Sequence, residues 1–447
     1  MRKELITLAC VLAAAGSAAQ NADEFRNPPA AYRPVPLWFW NNTPIERTEA
    51  AEQFRTFTQR DGYGGCAILP FGGHFAPEYL SDEYFALYGE IVREARPAEL
   101  FYKVVSSSAA NWDKRLVMSE TFGAMGNIPV RELYTIAMEQ YTKGINQLIP
   151  HAVWYNDADV TFLPELSYRN PLYNEALPAF NRFLARLNYL LQPEGRTMAD
   201  IAMLYPIETL QAGHYLDGPE GYYAGGVKLP GTDYIRVAAM LSDTLARDFT
   251  YLHPEVLARC PAGRGMLHLD NKVNHQHYRV LILPGVKCIS PECLRTVERF
   301  RRAGGQVIFT TALPETSTRF EVSATQVAAR VQEMLAARKN PAVFLPEPDT
   351  ESLRKALEAD FIPDVTVSGA PGLRYIHRIC GGRHIYYFAN VGTETAEAGI
   401  LLRDAVKLRS FDPHTGDNAP FAAEVSAQGT RLQLTLPGAR SLFLVSE

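Results

Sequence analysis

The chain has 447 residues, of which 47% are hydrophobic and 21% are charged, as in an ordinary globular protein with two or three domains. Its formal net charge is −5, and the sequence contains no tract of basic residues. These properties argue against the classes of protein that bind nucleic acids or anionic membrane surfaces through a basic face.

The first 19 residues have the pattern of a secretory signal peptide. Arg2 and Lys3 supply a positive start, and residues 5–15 form an apolar stretch that is too short to span a bilayer. Small residues at 17–19 then offer a cleavage site. We therefore expect a secreted or periplasmic protein that has no membrane partner.

Five cysteines follow the signal peptide at scattered positions. An odd number without regular spacing predicts buried free thiols rather than a disulfide framework. None of them has the paired spacing and nearby histidines of a zinc site. The five are Cys66, Cys260, Cys288, Cys293 and Cys380.

Strand and helix patterns alternate along residues 31–195. The predicted strands are 36–42, 64–71, 116–119 and 145–151, and the predicted helices are 45–60, 81–96, 100–110, 129–143 and 175–191. This alternation predicts parallel βα units, of which we count four. Because a complete (β/α)8 barrel needs about 250 residues, the region predicts an incomplete (β/α) barrel.

Two further domains are expected after the barrel region. Residues 196–345 alternate between buried strands at 201–205, 280–283 and 306–311 and helices at 234–248, 291–303 and 324–339, which is the pattern of a doubly wound α/β domain. Residues 360–447 contain short β segments at 383–390, 399–402, 406–411 and 431–436, and they predict a small β-sandwich. The predicted fold class is therefore α/β, with three domains after the signal peptide.

A carboxylate stands where the third predicted strand ends, in the sequence RLVMSETFGAMG at 115–126. Glu120 follows an apolar run and precedes a small loop with glycine, which is how a barrel strand delivers a catalytic carboxylate to its C-terminal face. Asp113, Asp157 and Glu165 are further acidic candidates. Asp113 and Asp157 can equally be turn or cap residues, and Glu165 can either line a cleft or begin a loop.

Aromatic and amide side chains near the same strand ends suit a carbohydrate site, since sugar rings stack on aromatic faces and sugar hydroxyls need polar partners. Ordinary alternatives stay open, namely a core histidine at His151 and turn-forming amides at Asn41 and Asn42. The candidate substrate-binding residues are Trp40, Asn41, Asn42, His74, Trp112, His151, Trp154 and Asp157.

Three segments resemble glycoside hydrolase family 106, the α-L-rhamnosidases: PLWFWNN at 36–42, GYGGCAILPFGG at 62–73 and VSSSAANWDKRLVMSETFGA at 105–124. The likeness continues through GINQLIPHAVWY at 144–155 and PELSYRNP at 164–171. It implies a (β/α)8 barrel that hydrolyses polysaccharide fragments with inversion, using two carboxylates about 6.5–9.5 Å apart. Glu120 matches the family position to which we assign the base.

The chain departs from the family pattern after the predicted helix at 81–96. The resemblance implies that a strand carrying the general acid, and several more barrel units, should follow there, and the sequence lacks them. One carboxylate cannot act as both acid and base of an inverting hydrolase. Two functions therefore stay open: a glycoside hydrolase in which another acid substitutes, and a catalytically inactive carbohydrate-binding descendant. An oligomer in which two shortened barrels complete each other is a further alternative.

No cofactor or metal site is predicted from the residues. Neither of the glycine-rich phosphate-binding patterns, GxGxxG and GxxxxGK[ST], occurs, so the doubly wound domain is not expected to bind a nucleotide. Calcium is suggested by the family resemblance alone, and we find no set of residues in the sequence that corresponds to its ligands.

Overall fold

The computed structural model describes residues 21–41, 47–71, 98–213, 232–359, 362–370 and 372–447. The signal peptide expected at 1–19 and the helix expected at 81–96 lie outside these residues. The described chain is a mixed α/β protein, as the sequence predicts.

Short parallel strands organise the first region. They are β1 (Leu37–Asn41), β2 (Ala67–Phe71), β3 (Met118–Thr121), β4 (Gln147–Pro150) and β5 (Val153–Trp154). β1 lies between β2 and β5, and β3 pairs with β4, always in the parallel sense. Only His151 and Ala152 separate β4 from β5. The chain therefore passes directly from the sheet of β3 and β4 into the sheet of β1, β2 and β5. Within the described residues β2 and β3 each pair on one side only, and no closed barrel forms.

Helices accompany these strands. They are α1 (Ala22–Arg26), α2 (Arg47–Thr56), α3 (Ala98–Asn111), α4 (Val130–Thr142) and α5 (Leu177–Leu191). In α4, Leu133, Ala137 and Tyr141 recur every four residues, which places them on one face, and all three are buried. This face packs with Phe180 and Leu184 of α5 in a common core, so the two helices form one layer behind β3 and β4.

The middle region alternates between strands and helices. Its strands are β6 (Arg196–Thr197), β7 (Ile201–Leu204), β8 (Phe249–Leu252), β9 (Ala262–Gly263), β10 (Met266–His268), β11 (His277–Tyr278), β12 (Val280–Pro284), β13 (Cys288–Ile289), β14 (Gln306–Thr310), β15 (Thr316–Ser317) and β16 (Val343–Leu345). Its helices are α6 (Ile207–Ala212), α7 (Tyr234–Ala239), α8 (Pro254–Leu257), α9 (Pro291–Arg302), α10 (Ala324–Leu335) and α11 (Thr350–Glu358).

Five of these strands form a parallel sheet in the order β16-β14-β12-β7-β8. Counted along the chain, this is the order 2-1-3-4-5 of flavodoxin-like, doubly wound sheets. Alternate residues of β12 enter two different cores. Leu281 packs with α9 and α10 on one face, and Ile282 packs with α7 and α11 on the other. Helices therefore cover both faces of the sheet.

Antiparallel strands make up the last region. They are β17 (Val365–Ser368), β18 (Leu373–Cys380), β19 (Arg383–Asn390), β20 (Ala396–Leu402), β21 (Leu408–Phe411), β22 (Asn418–Phe421), β23 (Glu424–Ser426), β24 (Gly429–Leu436) and β25 (Arg440–Ser446). One sheet has the order β17-β20-β24-β23, and the other has the order β22-β21-β25-β19-β18-β6. Val365 and Ile400 from the first sheet share a core with Tyr386 and Leu444 from the second, which is sandwich packing.

Some elements differ from the sequence-based predictions. The helix expected at 234–248 ends within a π-helical turn at Met240–Thr244, and the edge strand β8 follows it at Phe249. Helix α11 and strand β18 were not predicted. The five cysteines after residue 20 are free as predicted, four of them buried and Cys66 half-buried. Among the described helices none is long and apolar enough to cross a membrane.

Candidate active site

Glu120 lies on the face of β3 that is turned away from the helices. The hydroxyl of its neighbour Thr121 lies 3.2 Å from Oε1 of Gln140 in α4, so Thr121 faces the helical layer. Because side chains alternate along a strand, Glu120 and Met118 lie on the opposite face. Both side chains are exposed, Met118 to 54%. The sequence placed Glu120 at a strand end, and the structure adds that solvent reaches it.

The carboxyl group of Glu120 is partly desolvated by neighbouring protein, although the residue is exposed. This partial burial raises its pKa above the ordinary value of 4.5. Within the described residues no charged group contributes to this shift, and no side chain binds the carboxylate through a hydrogen bond. A carboxylate with a raised pKa and no ionic partner is a stronger base than a free one, while solvent still reaches it.

The loop that follows β3 has an uncommon backbone. Phe122 and Ala124 have positive φ angles of 82° and 57°, a conformation that costs non-glycine residues of the order of 1 kcal/mol or more. Between them, a Cβ atom on Gly123 would stand 3.0 Å from Cγ of His151. A larger residue at this position would therefore press on the His151 ring, which lies against the loop after Glu120.

His151 is a buried residue between β4 and β5. Its backbone N–H donates to the carbonyl oxygen of Thr121 (2.8 Å), which fixes the two strand ends together. Its ring lies edge-on to Phe39 (5.1 Å) and to Phe162 (5.9 Å). Burial lowers its pKa to about 4, so the imidazole is neutral near pH 7. The contacts favour the core interpretation of this residue over direct binding of a sugar hydroxyl.

Trp154 offers no face to a sugar ring in this structure. Its side chain is fully buried and stacks on Phe39 with ring centres 4.4 Å apart and planes 12° apart. Val160 and Phe162, from the loop after β5, pack against this pair. The tryptophan that the sequence suggested as a stacking platform is thus a core residue, because the following loop folds over it.

The other aromatic candidates differ in accessibility. Trp112 is 47% exposed at the end of α3, and Arg259 from the middle region lies 6.0 Å above its ring. Trp40 is half-buried and packs edge-on against Trp38 (5.6 Å). Trp40 and Trp112 therefore remain the described tryptophans with surface for a ligand.

The side chain of Asn41 fixes the loop after β5 through hydrogen bonds. Its amide donates to the carbonyl oxygens of Asn156 (3.1 Å) and Asp159 (2.8 Å), and its side-chain oxygen accepts the Asn156 N–H. The residue is fully buried, so its hydrogen-bonding capacity is used within the protein. In the same loop the exposed carboxylate of Asp157 lies 3.6 Å from Arg169. Asn42 and His74 lie outside the described residues.

Asp113 joins the first region to the middle region. Its carboxylate accepts N–H groups from Lys272, Val273 and Asn274 at 2.8–3.2 Å. These hydrogen bonds hold its pKa below the ordinary value although desolvation opposes them. A carboxylate that stays ionised and is bound to three backbone groups cannot readily donate a proton, so the cap interpretation of Asp113 is favoured over the acid.

Glu165 belongs to a separate buried cluster. One of its oxygens lies 3.4 Å from Nη2 of Arg169, and the other accepts the N–H of Ser167. Burial raises its pKa despite these contacts. Asp61, at the end of the helical segment after β1, is also buried, and desolvation raises its pKa to about 7. Sequence reasoning missed Asp61, because a helix-end aspartate gives no sign of burial.

Calcium stays an expectation from the family resemblance. Within the described residues, the converging group of histidine, cysteine and acidic side chains consists of His377, His384 and Asp404, which lie far along the chain from Glu120. Calcium prefers six to eight oxygen ligands, and this group offers two imidazoles. We therefore derive no catalytic step through calcium.

Glu120 is thus an exposed carboxylate at the end of a parallel strand, with no ion pair among the described residues. Glycoside hydrolases use two carboxylates, and barrel enzymes carry theirs at such strand ends. The chain belongs to the Glyco_hydro_106 family, described as alpha-L-rhamnosidase, whose sequence profile matches residues 93–423. The match includes Glu120 and extends through the middle region into the β-sandwich.

One solved structure shows a related fold, and a second, more distant one is given for comparison. A rhamnosidase from Novosphingobium sp. PP1Y is 20% identical, with a TM-score of 0.58 over 76% of this chain and 32% of that chain. A β-galactosidase from Bacillus circulans sp. alkalophilus is 12% identical, with a TM-score of 0.47 over 76% of this chain and 57% of that one. The chain thus spans about a third of the length of the rhamnosidase it matches. No curated protein matches the chain.

Proposed function

We propose that the protein hydrolyses α-L-rhamnosyl bonds in polysaccharide fragments, with Glu120 as the catalytic base. The observation that carries this proposal is the environment of Glu120. It is an exposed carboxylate with a raised pKa and, in the described part of the chain, no ionic partner. Membership of the rhamnosidase family supports the substrate class.

The proposed reaction is a direct displacement by water. Glu120 removes a proton from a water molecule as its oxygen attacks the anomeric carbon, and the bond to the leaving oxygen breaks with inversion of configuration. A general acid must protonate that leaving oxygen, and its carboxyl group is expected about 6.5–9.5 Å from that of Glu120. Among the acidic candidates, Glu165 is buried, which raises its pKa, and Asp157 is exposed. Loss of turnover in Glu165→Gln or in Asp157→Asn would identify which of them serves as the acid.

The pH dependence of the reaction follows from the state of Glu120. A base works only when it is ionised, so kcat/KM falls as the pH drops through its pKa. Because burial raises this pKa above 4.5, we expect the acid side of the profile to decline at a pH above 4.5. Steady-state hydrolysis of p-nitrophenyl α-L-rhamnoside between pH 4 and 8 measures this. A profile that stays flat down to pH 4.5 would contradict the role of Glu120 as base.

A second candidate function is carbohydrate binding without turnover. The observation that favours it is the open strand arrangement, in which β2 and β3 each pair on one side only within the described residues. On this hypothesis the wild-type chain binds rhamnose-containing oligosaccharides but releases no sugar, and Glu120→Gln binds them equally well. Isothermal titration of both forms alongside the hydrolysis assay separates the two functions.

We further propose that the protein is exported to the periplasm or the medium. The pattern of residues 1–19 supports this, and mass spectrometry of the mature protein should find Gln20 at its start. The oligomeric state stays a prediction from the shortened barrel. Light scattering of the purified chain tests it, and a monomer would exclude two barrels that complete each other.

A further inference from the structure

A cluster of histidine and aspartate side chains lies between the two sheets of the last region, away from Glu120. His377 is on β18, His384 is on the paired strand β19, and Asp404 is in the turn after β20. Nε2 of His377 and Nδ1 of His384 are 3.0 Å apart, and Oδ2 of Asp404 is 3.4 Å from Nδ1 of His384. These three atoms all lie within 4.8 Å of one another.

Asp364 orients the ring of His377 so that the lone pair of its Nε2 atom points into the cluster. Its Nδ1 atom lies 3.0 Å from both carboxylate oxygens of Asp364, the geometry in which an imidazole N–H donates to a carboxylate. The ring of Tyr386 stacks on it with centres 3.9 Å apart and planes 20° apart. A histidine whose far nitrogen is bound by a carboxylate is the usual support for a metal-binding imidazole, because the carboxylate sets both tautomer and orientation.

His384 and Asp404 leave the cluster open to solvent. The side chain of His377 is fully buried, whereas those of His384 and Asp404 are 19% and 32% exposed. An ion and a water molecule can therefore reach the site from outside.

We propose that Nε2 of His377, Nδ1 of His384 and Oδ2 of Asp404 bind a divalent transition-metal ion of the zinc class. The two nitrogens are 3.0 Å apart, so an ion about 2.1 Å from both would see them about 91° apart. The His384 nitrogen and the Asp404 oxygen are 3.4 Å apart and would subtend about 108° at such an ion. The second angle is close to that of a tetrahedral site, and the first is nearer to that of an octahedral one. Water completes the coordination on the exposed side.

The ligand types select the metal. Imidazole nitrogens suit Zn²⁺, Cu²⁺, Ni²⁺ and Co²⁺, whereas Mg²⁺ and Ca²⁺ prefer all-oxygen sites. The carboxylates of Asp364 and Asp404 balance the charge of the ion. Arg403 is a neighbouring cation. It donates a hydrogen bond to Asp200 at 2.6 Å and lies 3.6 Å from Asp364, so these two carboxylates already pair with its positive charge.

The position of the site predicts its effect. His377 and His384 belong to one sheet, while Asp404 follows a strand of the other. A bound ion would therefore tie the two sheets together, and it would stabilise the folded chain by an amount that grows with the metal concentration. The competing explanation is a metal-free hydrogen bond, in which Nδ1–H of His384 donates to Nε2 of His377.

Titration of the chelator-treated, full-length protein with Zn²⁺ tests the proposal. We expect one equivalent to bind, with a rise in the melting temperature. His384→Ala should abolish both effects, and Asp364→Asn should weaken binding about 10- to 100-fold as a positioning change. His268→Ala is the matched control. His268 is an exposed histidine whose ring lies 5.6 Å from that of His277, and it does not belong to the cluster of His377, His384 and Asp404. Its binding should equal that of the wild type.

Two further measurements keep the test decisive. Asp404→Asn changes a half-buried side chain into one of nearly equal size and so should fold even if His384→Ala does not; it should weaken Zn²⁺ binding at least tenfold. Substitution with Co²⁺ should give the strong visible absorption of a four-coordinate site. Equal binding by wild type, His384→Ala and Asp404→Asn, or the absence of one saturable site in the wild type, would overturn the proposal in favour of the metal-free hydrogen bond.

Discussion

Glu120→Gln is expected to lower kcat/KM for p-nitrophenyl α-L-rhamnoside by about 10²- to 10⁴-fold, the usual contribution of a general base. The amide has the size of the carboxylate but cannot take a proton from water. Because Glu120 is exposed and makes no described hydrogen bond or ion pair, its removal should leave the melting temperature unchanged within about 2 °C. Initial rates of p-nitrophenol release and a thermal melt measure the two effects.

Glu132→Gln is the matched control for this substitution. Glu132 is an exposed glutamate in the first turn of α4, the helix after β3, and it should retain wild-type kcat/KM. If Glu120→Gln keeps activity within threefold of the wild type, another group is the base. If both variants lose activity together, the effect of Glu120→Gln is not specific to the site.

Trp154→Ala should destabilise the protein by about 3–5 kcal/mol, the range for removing a large aromatic side chain from a core. Trp154 is fully buried and stacks on Phe39, and the pair supports the strand ends beside His151. The loss combines buried apolar area with a cavity that the rigid strands β1 and β5 cannot close. Urea denaturation followed by far-UV circular dichroism measures the change in the free energy of unfolding.

Trp112→Ala is the corresponding control, since it removes the same side chain from a half-exposed position. Its contact with Arg259 is a surface cation–π interaction, so the expected loss is about 1 kcal/mol or less. Equal losses for the two variants would mean that Trp154 is not the core residue described here. A small loss for Trp154→Ala would restore it as a candidate for sugar stacking.

Local sequence patterns predicted most helices and strands of the first region because their apolar periods were clear. Strand β1 was expected at 36–42 and lies at Leu37–Asn41, and the helix expected at 129–143 lies at Val130–Thr142. The position of Glu120 at a strand end follows from the same kind of pattern. Its exposure does not, because exposure depends on which strands and loops pack against that face.

The contacts that decide the roles of Asp113, Asn41 and Trp154 come from distant parts of the chain. Asp113 binds backbone groups about 160 residues further on, and Asn41 binds a loop 115 residues away. Trp154 becomes a core residue only because Val160 and Phe162 fold over it. Residue type and spacing therefore identified polar and aromatic candidates, while tertiary packing determined which of them reach solvent.

The histidine cluster shows the same limit. His377 and His384 meet because β18 and β19 form a hairpin across Gly381 and Gly382. Strand β18 was not predicted, since its two arginines and its histidine interrupt the apolar pattern of a strand. Without that strand the two histidines are seven residues apart in sequence and carry no spacing typical of a metal site.

The most direct test of the account is to follow hydrolysis of p-nitrophenyl α-L-rhamnoside by the wild-type chain with proton NMR. We predict turnover in which β-L-rhamnose is the first product, because a base that activates water on the opposite face inverts the anomeric carbon. First formation of the α-anomer would contradict the role of Glu120 as base. No turnover by the folded chain, although it binds rhamnosides, would show a carbohydrate-binding protein instead of a hydrolase.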